Sequence, residues 1–350
     1  MMRAGLLVLA LLVQYPGMVS GQDRLIVGLR DDAPPFSFIL PSPDGHSAVE
    51  ELDIAFGGQV FSGYMVNVCA SAIRGMQVDI EIEIVDPTTR FQLLQDGVID
   101  VLCDPATISI DRLTENIAVS QPVYLSGIGM ASQPSSAWSP AHWPCIGPVV
   151  GVVAGTTARG NVVGDLAKEG KFGPHFSQVV LKYPTPNEVA LDEEDVDRLG
   201  RCAENAEQFG IVERLAEYAD PSEAVAVRAF PNHTDLAKAL CAGSVLVSVG
   251  DIEIIARSLQ AAKDAVPTCE FLINPNVITV ERYGIYVHIA DGDAARQALV
   301  LRFLRQLAIE IHRGPASALI MSFRRNFNPQ RIAPSLDVFF WNVIAGEPQR

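Results

Sequence analysis

Arginines and threonines beside breaks in the chain are the residues of this sequence best placed to hold an anion. Thr156 and Thr157 follow Gly155 and precede a segment that reads as a helix, so hydroxyls and unpaired first-turn N–H groups would meet a carboxylate together. A plain helix-capping role for the same threonines is compatible with this. Arg112 offers a planar guanidinium that can grip both oxygens of one carboxylate. Arg30 ends the first strand, and strand ends of open α/β sheets face the ligand crevice. Asp251 follows the strand Val245 to Val249 and Gly250, where it reads as the N-cap of the next helix. A phosphate loop does not fit, because Asn161 stands where the lysine after Gly155 and Gly160 would be needed. No Gly-x-Ser-x-Gly nucleophile turn occurs, and no carboxylate pair stands out beyond Asp31-Asp32.

The elements that must position these residues alternate. Arg24 to Arg30 reads as a strand, and Pro34 and Pro35 break it into a loop. Gly63 to Met76 reads as a turn and an apolar helix, and Val78 to Val85 as a half-exposed strand. Pro87 opens a helix through Gln95, and Val98 to Cys103 is a short buried strand. A second unit starts at Val149 to Val153. It continues with a helix over His233 to Ala242, the strand Val245 to Val249 and a helix over Ile252 to Lys263. Tyr283 to Val287 reads as one more strand, and Asp293 to His312 as a helix stopped by Gly314-Pro315. This is an α/β chain with largely parallel sheets.

The N-terminus carries Arg3, an apolar run from Gly5 to Val13, and small residues at Val19 and Gly21, a secretory signal peptide over 1–21. About 330 residues remain, enough for two domains, and the hydrophobic fraction of 49% supports buried cores. No later segment reaches ~18 uninterrupted apolar residues, and the first cysteine, Cys69, lies far from the cut, so neither a membrane helix nor a lipid anchor is expected. A net charge of -15 excludes nucleic acid as a partner. The six cysteines are even in number in an exported chain, and without Cys-x-x-Cys they read as disulfides rather than a metal site. The six histidines are scattered, and Asn232-His-Thr234 fits a glycosylation triplet.

Five blocks in register carry a resemblance: Val27-Gly-Leu-Arg-Asp-Asp-Ala-Pro-Pro-Phe-Ser-Phe38, Gly63-Tyr-Met-Val-Asn-Val-Cys69, Asp100-Val-Leu-Cys-Asp-Pro-Ala-Thr-Ile-Ser-Ile-Asp-Arg112 with Val119-Ser-Gln-Pro122, Val149-Val-Gly-Val-Val-Ala-Gly-Thr-Thr157, and Glu281-Arg-Tyr-Gly-Ile285. Together they resemble the periplasmic amino-acid-binding proteins, solute-binding family 3. The resemblance implies an α/β, two-lobed periplasmic binding protein type II fold with two hinge crossings. Lobe one would be 22–121 plus 284–350, and lobe two 122–283 with an acidic insertion around 165–230. It implies a monomeric periplasmic receptor without cofactor, which gives a small amino acid to the membrane permease of an ABC transporter.

In that family an arginine and a hydroxyl five residues apart share the ligand carboxylate, which places Arg112 and Thr107 there. The carbonyl of Pro105 and the carboxylate of Asp251 would take the ammonium, and Tyr64 would pack on the ligand. Glutamate and aspartate receptors carry an arginine at the position of Arg30, where it meets the side-chain carboxylate; the alternative is that Arg30 pairs with Asp31 or Asp32. A Cys69–Cys103 bridge is implied, while pairing among Cys145, Cys202, Cys241 and Cys269 stays open. Departures are Asn67 for an aspartate, Asp104-Pro-Ala106 for a glycine-containing turn, and Leu246 for an acid. Cyclohexadienyl dehydratases use the same scaffold, and a detached sensor lobe is a third expectation.

Overall fold

The computed structural model describes residues 24–41, 50–134, 149–159, 226–289, 292–327 and 334–345. The expected signal peptide, Cys145, Cys202 and nearly all of the acidic insertion lie outside the described residues. The apolar run Leu25 to Leu29 forms β1 (Arg24–Leu29), which pairs in parallel with β6 (Asp79–Ile84) and β7 (Val101–Leu102). The alternation in β6 suits an edge, since its exposed acids discourage further strand pairing. Two antiparallel strands complete the sheet in the order β6-β1-β7-β16-β8, with β8 at Ile117–Val119 and β16 at Tyr286–His288. Helices α1 (Tyr64–Met76), α5 (Ala294–Ile311) and α6 (Ala318–Asn326) share one core with the sheet, in which Leu25, Val27, Val68, Phe303, Leu307 and Leu319 meet. A short helix, α2 (Arg90–Gln95), follows β6.

The second sheet runs β12-β11-β13-β10-β14. Its strands are β10 (Ile128–Ser132), β11 (Val149–Val153), β12 (Ala226–Phe230), β13 (Val247–Asp251) and β14 (Leu272–Ile273). Parallel pairing joins β11 to β12 and β13, and antiparallel pairing joins β10 to β13 and β14. Helices α3 (His233–Cys241) and α4 (Ile252–Ala265) bury Leu236, Leu240, Ile255 and Leu259 against it. Two strands cross between the sheets as an antiparallel pair, β9 (Tyr124–Ser126) and β15 (Glu281–Tyr283). A last helix, α7 (Pro334–Ala345), sets Phe340 against Tyr124. The outcome is the two-lobed binding-protein fold with two crossings. Among the described residues no helix is long and apolar enough to span a membrane.

Two features differ from the sequence expectation. The stretch read as one strand over Tyr283 to Val287 is two, β15 and β16. Gly284 breaks it, because a Cβ there would lie 2.6 Å from Val119 Cγ2 and 3.0 Å from Ile108 Cδ1. Segments 32–39 and 54–62 build a further four-stranded sheet, β2 (Asp32–Ala33), β3 (Ser37–Ile39), β5 (Gln59–Ser62) and β4 (Ile54–Phe56), where a loop is expected over Asp31 to Phe36. Gly57 and Gly58, with φ of 58° and 79°, make the two-residue hairpin turn between β4 and β5.

One disulfide ties Cys69 of α1 to Cys103 beyond β7, as the resemblance implies. A second joins Cys241 of α3 to Cys269, settling one pairing that the sequence leaves open. Asn232 of the glycosylation triplet is spent as a helix cap: its Oδ1 accepts the Asp235 N–H at 2.8 Å and its Nδ2 donates to Asp235 Oδ2 at 3.0 Å.

Candidate functional site

The carboxyl end of β7 opens into Asp104-Pro-Ala-Thr107, and backbone pairing fixes this loop to the crossing strand β15. Gly284 N–H donates to Ala106 O at 3.1 Å, Ile108 N–H donates to Arg282 O at 2.7 Å, and Thr107 bridges Tyr283. Arg112 then folds back, its Nη1 donating to Thr107 O at 2.8 Å and its guanidinium lying 4.7 Å over the Phe91 ring. The Tyr286 hydroxyl donates to the same carbonyl at 2.7 Å. Burial holds the Arg112 guanidinium below its usual range, but an arginine stays charged under ordinary conditions.

Opposite this loop, the second sheet contributes its own strand ends. Thr156 and Thr157 follow β11, with the Thr156 hydroxyl donating to Val153 O at 2.7 Å and helical backbone starting at Thr157. Gly155 (φ +70°) lets the turn approach the first lobe so closely that a Cβ would sit 2.1 Å from Pro87 O. Asp251 ends β13 and caps α4 by accepting the Ile254 N–H on Oδ1 at 3.0 Å. Its other oxygen accepts from the hydroxyls of Ser126, at 2.6 Å, and Tyr283. Burial first, and the neighbouring Glu253 charge second, push the Asp251 carboxyl well above the usual carboxylate range.

These residues line one cleft of about 430 Å³, part of it open to solvent, with Arg30, Arg90, Pro105, Thr107, Arg112, Thr156, Thr157, His233, Asp251 and Tyr283 in its walls. Seven residues expected from the sequence are therefore brought together: Arg30, Pro105, Thr107, Arg112, Thr156, Thr157 and Asp251. Tyr64 is not among them. Its ring is fully buried with Phe36 and Tyr124, and its hydroxyl donates to Val123 O at 2.7 Å. Arg30 lies in the wall and also pairs with Asp32, its Nη2 and Nε donating to Asp32 Oδ1 at 2.6 and 2.9 Å. The pairing with an acid two residues on is thus realised by Asp32, in a residue that also faces the cleft.

Three of these wall residues escaped the sequence reading: Tyr283 on the crossing strand, Arg90 and His233. Arg90, the first residue of α2, is 2% exposed and forms an ion pair with the fully buried Asp104. Asp86 anchors the preceding turn by accepting the Thr88 and Thr89 N–H groups at 2.7 and 3.0 Å, which delivers Arg90 to the cleft. Burial, then the charges of Arg112 and Arg30, hold the Arg90 guanidinium well below its ordinary range. His233, the first residue of α3, is 4% exposed, and its Nδ1 has no hydrogen-bond partner. Burial, then the charges of Arg30 and Arg90, keep this imidazole neutral at pH 7. Among the described residues no three His, Cys, Asp or Glu side chains converge as a metal site requires.

What such a cleft can do is hold a small zwitterion: guanidinium, hydroxyl and helix-start N–H donors for carboxylate, and a buried carboxyl for ammonium. The family model described as bacterial extracellular solute-binding proteins, family 3, matches residues 25–308. No curated protein matches the sequence. Among solved structures, an ancestral arginine-binding protein bound to arginine is similar at a TM-score of 0.51 and 17% identity, over 87% of this chain and 98% of that one. The substrate-binding protein of an amino acid ABC transporter is similar at 0.50 and 15%, over 87% and 99%. At these identities the likeness speaks to the fold.

Proposed function

The chain belongs to the bacterial extracellular solute-binding proteins, family 3, and on that premise we propose that it captures an acidic amino acid, glutamate or aspartate, outside the cytoplasm and passes it to the membrane permease of an ABC transporter. It acts in this reading as a receptor, not an enzyme. Residues 22–121 with 284–350 form one lobe and 122–283 the other, and the lobes close on the ligand by bending at β9 and β15.

One observation supports the acidic ligand above the rest. The cleft that offers Arg112, Thr107 and the Thr156-Thr157 turn to one carboxylate also holds Arg30, Arg90 and His233. A neutral or basic side chain would leave those donors facing an apolar or like-charged group in a desolvated pocket, whereas a second carboxylate uses them. Asp32 and Asp104 hold the two extra arginines in place before ligand arrives.

Calorimetry with glutamate, aspartate, glutamine and asparagine tests the assignment. The acids should bind more tightly than the amides, and Arg30→Gln should narrow or reverse the difference. Tighter binding of neutral or basic amino acids would remove the acidic assignment, and turnover of prephenate would move the protein to the dehydratase reading.

A further inference from the structure

Ser126, on the crossing strand β9, touches two carboxyls at once. Its Oγ lies 2.6 Å from Asp251 Oδ2 and 2.5 Å from Glu253 Oε2. A serine hydroxyl carries a single proton and can donate to only one of them. The other contact is a hydrogen bond only if the carboxyl brings the proton itself. Two ionised carboxylates on one oxygen would also repel each other in a site that burial keeps poor in water. Among the described residues neither acid has an ion pair. Asp251 also accepts from the Tyr283 hydroxyl and Ile254 N–H, Glu253 Oε1 lies 3.5 Å from the Tyr124 hydroxyl, and the two carboxyls are close enough to hydrogen-bond each other.

We infer that Asp251 and Glu253 hold one proton between them on Ser126, and that the ammonium group of an amino acid expels it, so that ligand capture releases a proton. The inference rests on the proposed reading in which Asp251 receives the ammonium. Asp251 lines the cleft and Glu253 does not, so the proton is shared between a ligand-facing acid and one behind it. The same cavity is lined by the buried His233. The charged and titratable groups around the pair are Tyr124 on β9, Tyr283 and Glu281 on β15, His233 on the neighbouring α3, and Arg30, Arg90 and Arg112 across the cleft. Glu281 is turned to the Thr279 hydroxyl at 2.8 Å.

Burial raises both carboxyls of the pair, in agreement with a retained proton. The sign follows from that direction. From the ordinary carboxylate range near pH 4 up to the raised value, the folded protein without ligand binds more protons than the unfolded chain, so its stability falls as pH rises through this window. Ligand affinity moves the other way and rises with pH, by at most about tenfold per unit for one proton. His233 would give the opposite sign, because an anionic ligand favours imidazolium and hence proton uptake.

Calorimetry of the tightest-binding amino acid, in buffers of different ionisation enthalpy from about pH 5 to about pH 8, counts the protons exchanged. Release approaching one proton per ligand at the acid end, declining with pH, is expected. Glu253→Gln keeps a hydrogen-bonding group but removes the second charge. It should reduce the release and shift it to lower pH, while affinity at the alkaline end stays within a few fold. Proton uptake, or binding with no exchange at any pH, overturns the shared proton and leaves the receptor reading standing. No binding by any of the twenty amino acids overturns the receptor reading and this inference with it. The wild-type measurement decides the matter even if the variant does not fold.

Discussion

Arg90 and Asp104 form an ion pair out of contact with solvent, yet Arg90 Nε and Asp104 Oδ1 have no partner of their own. Such a pair contributes little net stability, but breaking it is costly, because the remaining charge is stranded. Arg90→Met should therefore destabilise the protein by about 3–5 kcal/mol. Adding Asp104→Asn should recover much of that loss in thermal unfolding without restoring affinity for an acidic amino acid. If the double variant binds like the wild type, Arg90 is only the counterion of Asp104. Both Arg90 and His233 were invisible to pattern reading, since an arginine in a short polar helix reads as solvated and a histidine after a cap reads as ordinary. Each is nevertheless the first helical residue after a βα turn. The rule that places Arg30 at a strand end reaches them when extended by one turn. Tyr64 went the other way, because an aromatic on a buried helix face packs into the core unless tertiary contacts turn it out.

At the scale of elements, the parallel strands and long helices follow from periodicity, and their observed limits stay within a few residues of the expectation. The crossing strand was missed as a separate unit because nothing in the alternation of Tyr283 to Val287 registers that Gly284 abuts Val119. The small sheet of β2 to β5 was missed although Gly57-Gly58 is a hairpin signal, because its strands are only two to four residues long. Gly155 carries the sharpest element-level consequence. It follows β11 of one lobe and meets Pro87, beyond β6 of the other. A methyl group on Gly155 must separate these turns, so Gly155→Ala should leave each core folded but resist closure, weakening ligand binding roughly tenfold or more. Small-angle scattering should then show wild type contracting with ligand while the variant does not. Unchanged affinity would mean that the turn yields and is no part of closure.

Over the whole molecule, each disulfide among the described residues lies within one lobe, with sequence separations of 34 and 28. In the chain-entropy account each is worth about 3–4 kcal/mol against the unfolded state. Reduction should lower the unfolding temperature of the protein yet leave the hinge free, so that below the transition the reduced protein still binds its amino acid. Six reactive thiols in the unfolded, unreduced chain would contradict the bridges.

The place of β16 between β7 and β8 sets a schedule for folding. Every other strand of the first sheet has been synthesised by Val119, but β8 has no neighbour in that sheet until Tyr286 to His288 arrive behind the whole second lobe. Closing so long a loop carries an entropic cost that must precede its reward, which makes this step late and slow. A chain emerging N-terminus first therefore stays open and threadable through most of its length, and gains a cleft only when its last fifth returns to fill the gap.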